Sequence, residues 1–392
     1  MRILVHHRIA SRDGQSVHLE ELHAALKRQG HETLLVGPPS FEATGFGGSS
    51  SLVDRIKQML PGAVYELLEV VYNVKAWLRL RAAVKAFKPD IIYERFSLFL
   101  FAGLWVRRAT GLPLLLEINA PLFEERAKND GLKLHGLGRR AQRMIWNNVD
   151  HCLPVTGVLA DMVAGYGVPR EHITVIPNGI NPERFGAAPD LKAAKTALGL
   201  PPERLVLGFT GFVRGWNAVH RLIDFVALHR DRFDLHVLLV GDGPARQSLE
   251  DHAAKKGVAD RLTISGVVER DDVARYVAAF DVAVLPGVTH YASPLKLFEY
   301  LQLGRAIVAP DSTNIREILT DGKNGLLFDP KREGAMEEAL LTLTGDAALR
   351  GWLGDAAKKT ITEQSLTWGR NAQRVVTIAE KIVRNRQDSS PP

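Results

Sequence analysis

The sequence predicts an α/β protein made of two successive doubly wound parallel sheets. Three observations carry that prediction. Short strands, apolar on both faces, recur from one end of the chain to the other. Stretches of helical periodicity separate them. The series is interrupted once, near the middle, by a segment rich in proline, glycine and asparagine. The chain has 392 residues, 46% of them apolar and 24% charged. Those proportions belong to a folded protein of two or three domains. They exclude a disordered tail, a collagen-like repeat and a small disulfide-stapled scaffold.

In the first half, strands are expected at Arg2–His7, Glu32–Gly37, Asp90–Glu94, Pro113–Ile118, His151–Val155 and Ile173–Ile176. The second half gives Leu205–Thr210, His236–Gly241, Leu262–Gly266, Val282–Pro286, Ala306–Pro310 and Leu326–Phe328. Between the first two strands Leu19, Leu22 and Leu26 repeat at three and four residues, and Gly30 suits the residue that ends that helix. The segment PNGINPERF, Pro177 to Phe185, breaks any regular element. The first domain is therefore expected over 1–178 and the second over 179–365. A helix over 366–385, opened by Leu366, Thr367 and Trp368, is expected to pack back on the first domain, leaving 386–392 as a disordered tail. In open sheets of this kind ligands bind beyond the carboxyl ends of the strands, so the expected site is the cleft between the two domains.

The single cysteine, Cys152, cannot close an intramolecular disulfide, which fits a reducing compartment. The longest apolar run, Phe96 to Val106, has 11 residues, whereas a span needs about 20. The start MRILVHHRIA lacks the apolar core of a signal peptide, so the expected location is the cytoplasm. The net charge is +6, of which +5 falls before residue 181. A positive field suits an anionic substrate or membrane surface as well as it suits ordinary surface charge. Nucleic acid is not an expected partner, since no basic run interleaves with aromatics.

Four constellations carry chemistry. In YASPLKLFEYLQLG, Tyr291 to Gly304, Ser293 suits the N-cap and Pro294 the first helical position, and Gly304 suits the stop. The N–H groups of Leu295 and Lys296, with the lysine itself, suit a phosphate. That lysine opposes the helix dipole, a local conflict pointing to an anionic ligand. Glu299, three residues on, can accept hydrogen bonds from vicinal ribose hydroxyls. The plainer alternative is a capped surface helix with a Lys296–Glu299 ion pair. In GFTGFVRGWNAVHRLI, Gly208 to Ile223, Arg214 between Gly211 and Gly215 suits a clamp on a diphosphate, or is a solvated arginine in a glycine turn.

In SRDGQSVHLEEL, Ser11 to Leu22, Gly14 before a helix allows close approach to a phosphate, and His18 faces either a site or solvent. In LLLEINAPLFEER, Leu114 to Arg126, Glu117 and Asn119 interrupt a strand end. Asn119 and Glu124 are candidates for sugar or acceptor contacts, with turn chemistry the alternative for Glu124. There is no Asp-x-Asp, no His-x-x-x-His, no cysteine pair and no Gly-x-Ser-x-Gly, so neither a metal nor another cofactor is expected, and no nucleophile elbow. Across residues 70–88, Trp77, Leu80, Val84 and Phe87 form one apolar stripe among Lys75, Arg79, Arg81, Lys85 and Lys88. Two readings stand: a basic amphipathic helix on anionic lipid, or a core stripe with solvated lysines.

Taken in order, these segments resemble the retaining GT-B glycosyltransferases, the nucleotide-sugar-dependent family of the group 1 and family 4 kind. The similarity runs through RQGHETLLVGP, PDIIYERFSLF, LPLLLEINAPL, ITVIPNGINPERF, HVLLVGDGP, LTISGVVERDDVARYVAAFDVAVLP, SPLKLFEYLQLGRAIVAPD and DGKNGLLFDP, nearly the whole chain. The resemblance implies two Rossmann-like domains facing across a deep cleft, the acceptor held by the first and the nucleotide sugar by the second. It gives Glu299 the ribose, and Ser293, Pro294 and Leu295 the diphosphate and sugar. Gly266 and Val267 fall to the base, Arg214 to the phosphate clamp and Gly14 to the donor phosphates. His18 and Glu124 fall on the acceptor side, and Arg214, Lys296 and Asn119 at the reacting centre.

There are departures. Tyr291 stands where the family has its first glutamate, Asn217 where a clamp lysine is usual, and Asn119 where a histidine is common. The implied function is metal-independent, retaining hexosyl transfer from a nucleotide sugar to a lipid-linked or polysaccharide acceptor in cell-surface glycan synthesis, at the inner face of the membrane. The alternatives are another reaction on the same architecture, such as an epimerase, and a non-catalytic partner that binds nucleotide sugar or glycan.

Overall fold

The computed structural model describes residues 1–9, 14–38 and 61–388. Ser11 to Asp13 of the segment SRDGQSVHLEEL and the tail residues 389–392 lie outside them. The chain divides into two compact units, the first made of Met1–Pro177 together with everything from Trp368, the second of Asn178–Thr367.

The first unit holds a parallel sheet of β1 (Arg2–His6), β2 (Glu32–Val36), β3 (Ile91–Arg95), β4 (Leu114–Ile118) and β5 (His151–Pro154), in the order β2-β1-β3-β4-β5. Every residue of β3 and β4 is buried, including the charged Glu94, Arg95 and Glu117 toward their carboxyl ends. The order reverses between β1 and β3, so the crevice beyond their carboxyl ends is the place for function. Two helices matter here: α1 (Gly14–Arg28) after β1, and α2 (Gly62–Phe87) before β3.

The segment Ile173–Ile176 is not a strand. It lies extended beside β5, with Thr174 N–H donating to Cys152 O (3.0 Å) and Ile176 N–H to Pro154 O (2.9 Å), and forms only one bridge, Cys152 to Ile173. The next N–H on that side, that of Asn178, donates instead to Ser293 Oγ (3.1 Å).

The α2 helix turns polar residues inward. Glu66, Glu69 and Asn73 are buried alongside Ala76 and Leu80. Asn73 Oδ1 accepts from the N–H groups of Phe101 and Ala102 (2.5 and 3.0 Å), and its amide donates to Phe99 O (2.6 Å). It thereby caps the helix Ala102–Thr110. Glu66 accepts from Lys133 and Leu134 N–H (2.7 and 2.8 Å), and Glu69 pairs with Arg8 (3.1 Å) and Arg126 (2.8 Å). The stripe Trp77, Leu80, Val84 and Phe87 packs into the core with Ile92, Leu114 and Trp146. Of the two readings of that stripe, the structure gives these four residues the core one.

The second unit holds β6 (Leu205–Thr210), β7 (Leu235–Val240), β8 (Leu262–Ile264), β9 (Val282–Val284), β10 (Ala306–Pro310) and β11 (Leu326–Phe328). The order is β11-β10-β9-β6-β7-β8, again parallel, with the reversal between β9 and β6. The helix α3 (Leu295–Gln302) follows β9 and ends before Gly304, whose φ of +61° suits the left-handed stop.

The last helix, α4 (Trp368–Asp388), belongs to the first unit and packs on α1. Gln29 donates to Gly369 O (2.7 Å), and Asn371 to Pro177 O (2.7 Å). The sequence places its end at residue 385, but the helix runs to Asp388. Arg386 is tied to the Asp150 carboxylate and to Gly111 O, which fixes the final turn.

Candidate active site

Each sheet carries a constellation at its carboxyl edge. In the second unit, Thr210 ends β6 and its N–H donates to Tyr300 Oη (2.9 Å), tying α3 to that strand. Gly211 follows at φ +126°, and its N–H donates to Val240 O (2.8 Å). The loops after β6 and β7 meet backbone to backbone. A Cβ at Gly241 would stand 2.3 Å from Gly211 O, and one at Gly243 would stand 2.3 Å from Val213 O. Asn217, buried, accepts from Arg214 N–H through Oδ1 (2.8 Å) and holds the turn Gly215–Asn217.

The segment before α3 is pinned from behind. Asn314 donates to Thr289 O (3.1 Å) and Ala292 O (2.7 Å), and Asn178 to Ser293 O (2.5 Å), while Ser293 Oγ accepts from Asn178 N–H (3.1 Å). Ser293 is therefore not the N-cap. Pro294 holds that position, and no side chain caps the helix. The first N–H groups of α3, those of Leu295 and Lys296, are left without helical partners.

Lys296 turns back toward β6, its Nζ 3.7 Å from the centroid of the Phe209 ring. Gly211 leaves room for it, since a Cβ there would stand 2.9 Å from Nζ. Glu299 Oε2 is buried without a hydrogen-bond partner. Burial pushes Lys296 down to about 7, against the pull of Glu299. Burial pushes Glu299 up to about 7, against Lys296 and Arg270. The anticipated surface ion pair between them is not formed among the described residues. Beside this, Gly266 stands at φ +74°; Ser265 Oγ accepts from Gly241 N–H (3.1 Å) and donates to Gly266 O (2.8 Å), and Val267 is exposed.

In the first unit the centre is Glu117, buried near the end of β4. Its Oε1 accepts from Arg95 (2.7 Å) and from the Asn119 amide; its Oε2 accepts from Tyr93 (2.7 Å) and lies 3.4 Å from His18 Nε2. His18 Nδ1 is 3.1 Å from Asn119 Oδ1, and its ring packs on Trp368 with centroids 4.8 Å apart. Burial alone would raise the Glu117 pKa; His18, Arg95 and the bonds from Tyr93 and Asn119 overcome it and hold the carboxyl below its usual range. His7 lies nearby on the same edge, buried and pushed down to about 3, chiefly by desolvation, so it is neutral and its Nδ1 accepts from Ile9 N–H (3.2 Å).

Comparison with known proteins matches the glycosyltransferase family 4 model over residues 12–184 and the glycosyl transferases group 1 model over residues 204–346. The chain belongs to the GT-B glycosyltransferases. Among curated relatives of this glycosyltransferase is the 2-deoxystreptamine N-acetyl-D-glucosaminyltransferase of Streptomyces fradiae, 28% identical over 70% of this chain and 69% of that one. Another is the D-inositol 3-phosphate glycosyltransferase of an Arthrobacter strain, 26% identical over 78% and 74%. Among solved structures, HepE of Anabaena in complex with UDP matches with a TM-score of 0.75 at 18% identity, over 97% of this chain and all of that one.

Within this glycosyltransferase the structure brings Lys296, Glu299, Leu295 and Pro294 together with the Gly211 and Gly266 loops, and it brings His18 together with Asn119. Gly14 is the first residue of α1. Arg214, on the same loop as Gly211, has its guanidinium 5.2 Å from the Phe212 ring and lines a pocket with His220, Ser248 and His252. Each oxygen of Glu124 accepts a hydrogen bond, from Tyr166 (2.5 Å) and from Gln142 (2.8 Å), so it knits neighbouring helices. Asn217 is a buried cap and not a displaced ligand. Three residues escape the sequence reading: Tyr93, Arg95 and Trp368. The signal for the first two is that the apolar start of β3, Ile91 and Ile92, gives way to the polar run Tyr93, Glu94 and Arg95; for Trp368 there is none.

Proposed function

We propose that this glycosyltransferase moves a sugar from a nucleoside-diphosphate sugar to a hydroxyl of a lipid-linked or polysaccharide acceptor, with retention, in the synthesis of a cell-surface glycan. One observation carries the donor half. A buried carboxylate oxygen without a partner, on Glu299, and a desolvated lysine without a hydrogen bond, Lys296, stand one turn apart at an uncapped helix start. The first suits the paired hydroxyls of a ribose, and the second, with the helix N–H groups, suits a diphosphate. HepE, bound to UDP and to UDP-glucose, supports a uridine nucleotide as the first candidate. The relatives named for inositol phosphate and 2-deoxystreptamine support an acceptor rich in hydroxyls.

In the reaction so read, the acceptor hydroxyl attacks the anomeric carbon on the face the diphosphate leaves. The departing phosphate oxygen takes the hydroxyl proton, so the chain supplies no nucleophile and needs no metal. Its part is to hold the diphosphate and take up its growing charge. Lys296, charged only in part near pH 7, becomes fully charged as that anion forms against it. In the first unit, His18, held by Asn119 and Glu117, is the group placed to orient the acceptor.

The test is thermal stabilisation by a panel of nucleoside diphosphates and their sugars. A ligand at one hundred times its dissociation constant adds about 2.7 kcal/mol. One nucleotide series is expected to shift the melt, with the shift lost in Glu299→Ala, and Lys296→Ala is expected to lower turnover roughly 10²–10³-fold. No shift with any nucleotide would overturn the donor assignment. Tyr291 in place of the family's glutamate favours a second reading, a nucleotide-sugar binder without turnover. A shift with no product across acceptors would establish that reading instead.

A further inference from the structure

The outward face of α2 is apolar in a way the fold does not require. Val64, Leu67, Leu68, Val71, Val74 and Leu78 recur at three- and four-residue steps and are 42–63% exposed. Trp105, from the neighbouring helix Ala102–Thr110, is 38% exposed, and with Val74, Trp77, Arg108 and Ala109 it lines a shallow groove at the edge of this stripe. Isolated apolar residues on a surface need no account, but a continuous stripe along four turns does.

The charge around it is one-sided. The acids of α2, Glu66 and Glu69, face inward and are held by backbone N–H groups and by Arg8 and Arg126. The exposed charges along and beyond the stripe are Lys75, Arg81, Lys85 and Lys88, with Arg108 across the groove. An apolar stripe running into a cationic end, with an aromatic at its rim, has the layout of a helix lying in the plane of an anionic membrane surface. No helix among the described residues is long and apolar enough to cross a membrane.

We propose that the α2 face of the first unit is a membrane-docking surface, inserting Leu67, Leu68, Val71 and Val74 among the acyl chains of an anionic bilayer while Lys75, Arg81 and Lys85 meet the lipid phosphates. Docking by this face does not depend on the reaction read above, because it is measured without substrate.

The experiment floats the full chain with vesicles of phosphatidylcholine alone and of phosphatidylcholine with an equal part of phosphatidylglycerol. The chain floats with the second and not with the first, and added salt releases it. The double variant Leu68→Asp, Val71→Asp binds about tenfold or more weakly. Lys75→Glu with Lys85→Glu also loses about tenfold and, at two exposed lysines, keeps the result readable should the first variant fold poorly. Both keep the nucleotide-induced shift in melting temperature, which separates loss of docking from loss of the donor site. No flotation with anionic vesicles, or undiminished flotation of both variants, overturns the proposal. A dimer that forms without lipid and is abolished by the aspartate pair assigns the face to a second copy and overturns it equally.

Discussion

Lys296 and Glu299 sit one turn apart on α3, and burial draws both to the same pH, about 7. A carboxyl whose folded pKa exceeds its unfolded value of 4.5 stabilises the fold while protonated, so its contribution is full below 4.5 and is lost as the pH climbs toward 7. A lysine depressed from 10.5 does the reverse: its contribution is full above 10.5 and is lost as the pH falls toward 7. Ligand-free protein therefore carries its greatest strain at this pair near neutrality. Relative to wild type, Glu299→Gln is expected to flatten the decline between pH 4.5 and 7, and Lys296→Met the rise between 7 and 10.5, in melting temperature measured across that range. Parallel curves for all three proteins would show that neither group is linked to folding.

Glu117 supports a prediction of another kind. Removing it leaves Arg95 with an uncompensated charge in a buried setting, so Glu117→Ala is expected to cost about 3–5 kcal/mol in urea denaturation. A loss below about 1 kcal/mol would place it among exposed ion pairs. Glu117 and Asn119 stand out in the sequence because each interrupts an apolar strand end. Of their partners His18 is legible as a candidate on α1, but Tyr93 and Arg95 are not, because only the sheet order brings β3 beside β4.

At the scale of elements, the donor edge depends on how closely the loops after β6 and β7 approach. Gly243 sits under Val213 O, where a Cβ would be 2.3 Å away, with backbone on both sides that cannot swing aside. Gly243→Ala is expected to destabilise the second unit by about 1–3 kcal/mol. It is also expected to weaken nucleotide binding more than Gly215→Ala, whose Cβ meets nothing within 4 Å. Calorimetric titration of the two variants makes the comparison, and equal affinities would show that the loops need not touch. Glycine placement of this sort is legible as punctuation in a sequence, but not as contact.

The α3 helix is legible nearly to the residue, since Pro294 and Gly304 mark its ends by backbone geometry alone. The role of Ser293 is not, because its hydroxyl finds Asn178 from a distant part of the chain. The α2 helix misleads for a related reason. Its apolar residues occupy more than one face, and the inward side is decided by which polar groups the loops around Phe101 and Leu134 need capped.

For the molecule as a whole, two series of short apolar strands announce two parallel sheets, and both sheets are present with their switch points. Less foreseeable is how firmly the closing helix is bound. α4 contacts α1, Pro177 and Asp150, all in the first unit. A chain ending before Trp368 is therefore expected to melt earlier in its first unit, while the second unit keeps its nucleotide-dependent transition. Scanning calorimetry with and without nucleotide separates the two, and an unchanged first transition would show that α4 adds nothing.

The route of the chain also sets an order of events at the ribosome. All five strands of the first unit emerge before any strand of the second, yet the helix that covers α1 is made only after the second unit. At about 5–20 residues per second, synthesis of residues 178–367 keeps that helix back for roughly 10–40 seconds. During that interval the nascent first unit holds an uncovered flank of α1, and a completed neighbour is already in place downstream. A holdase bound to α1 in those seconds would be displaced by α4 as it emerges, so the first unit is completed only after the whole of the second has been made.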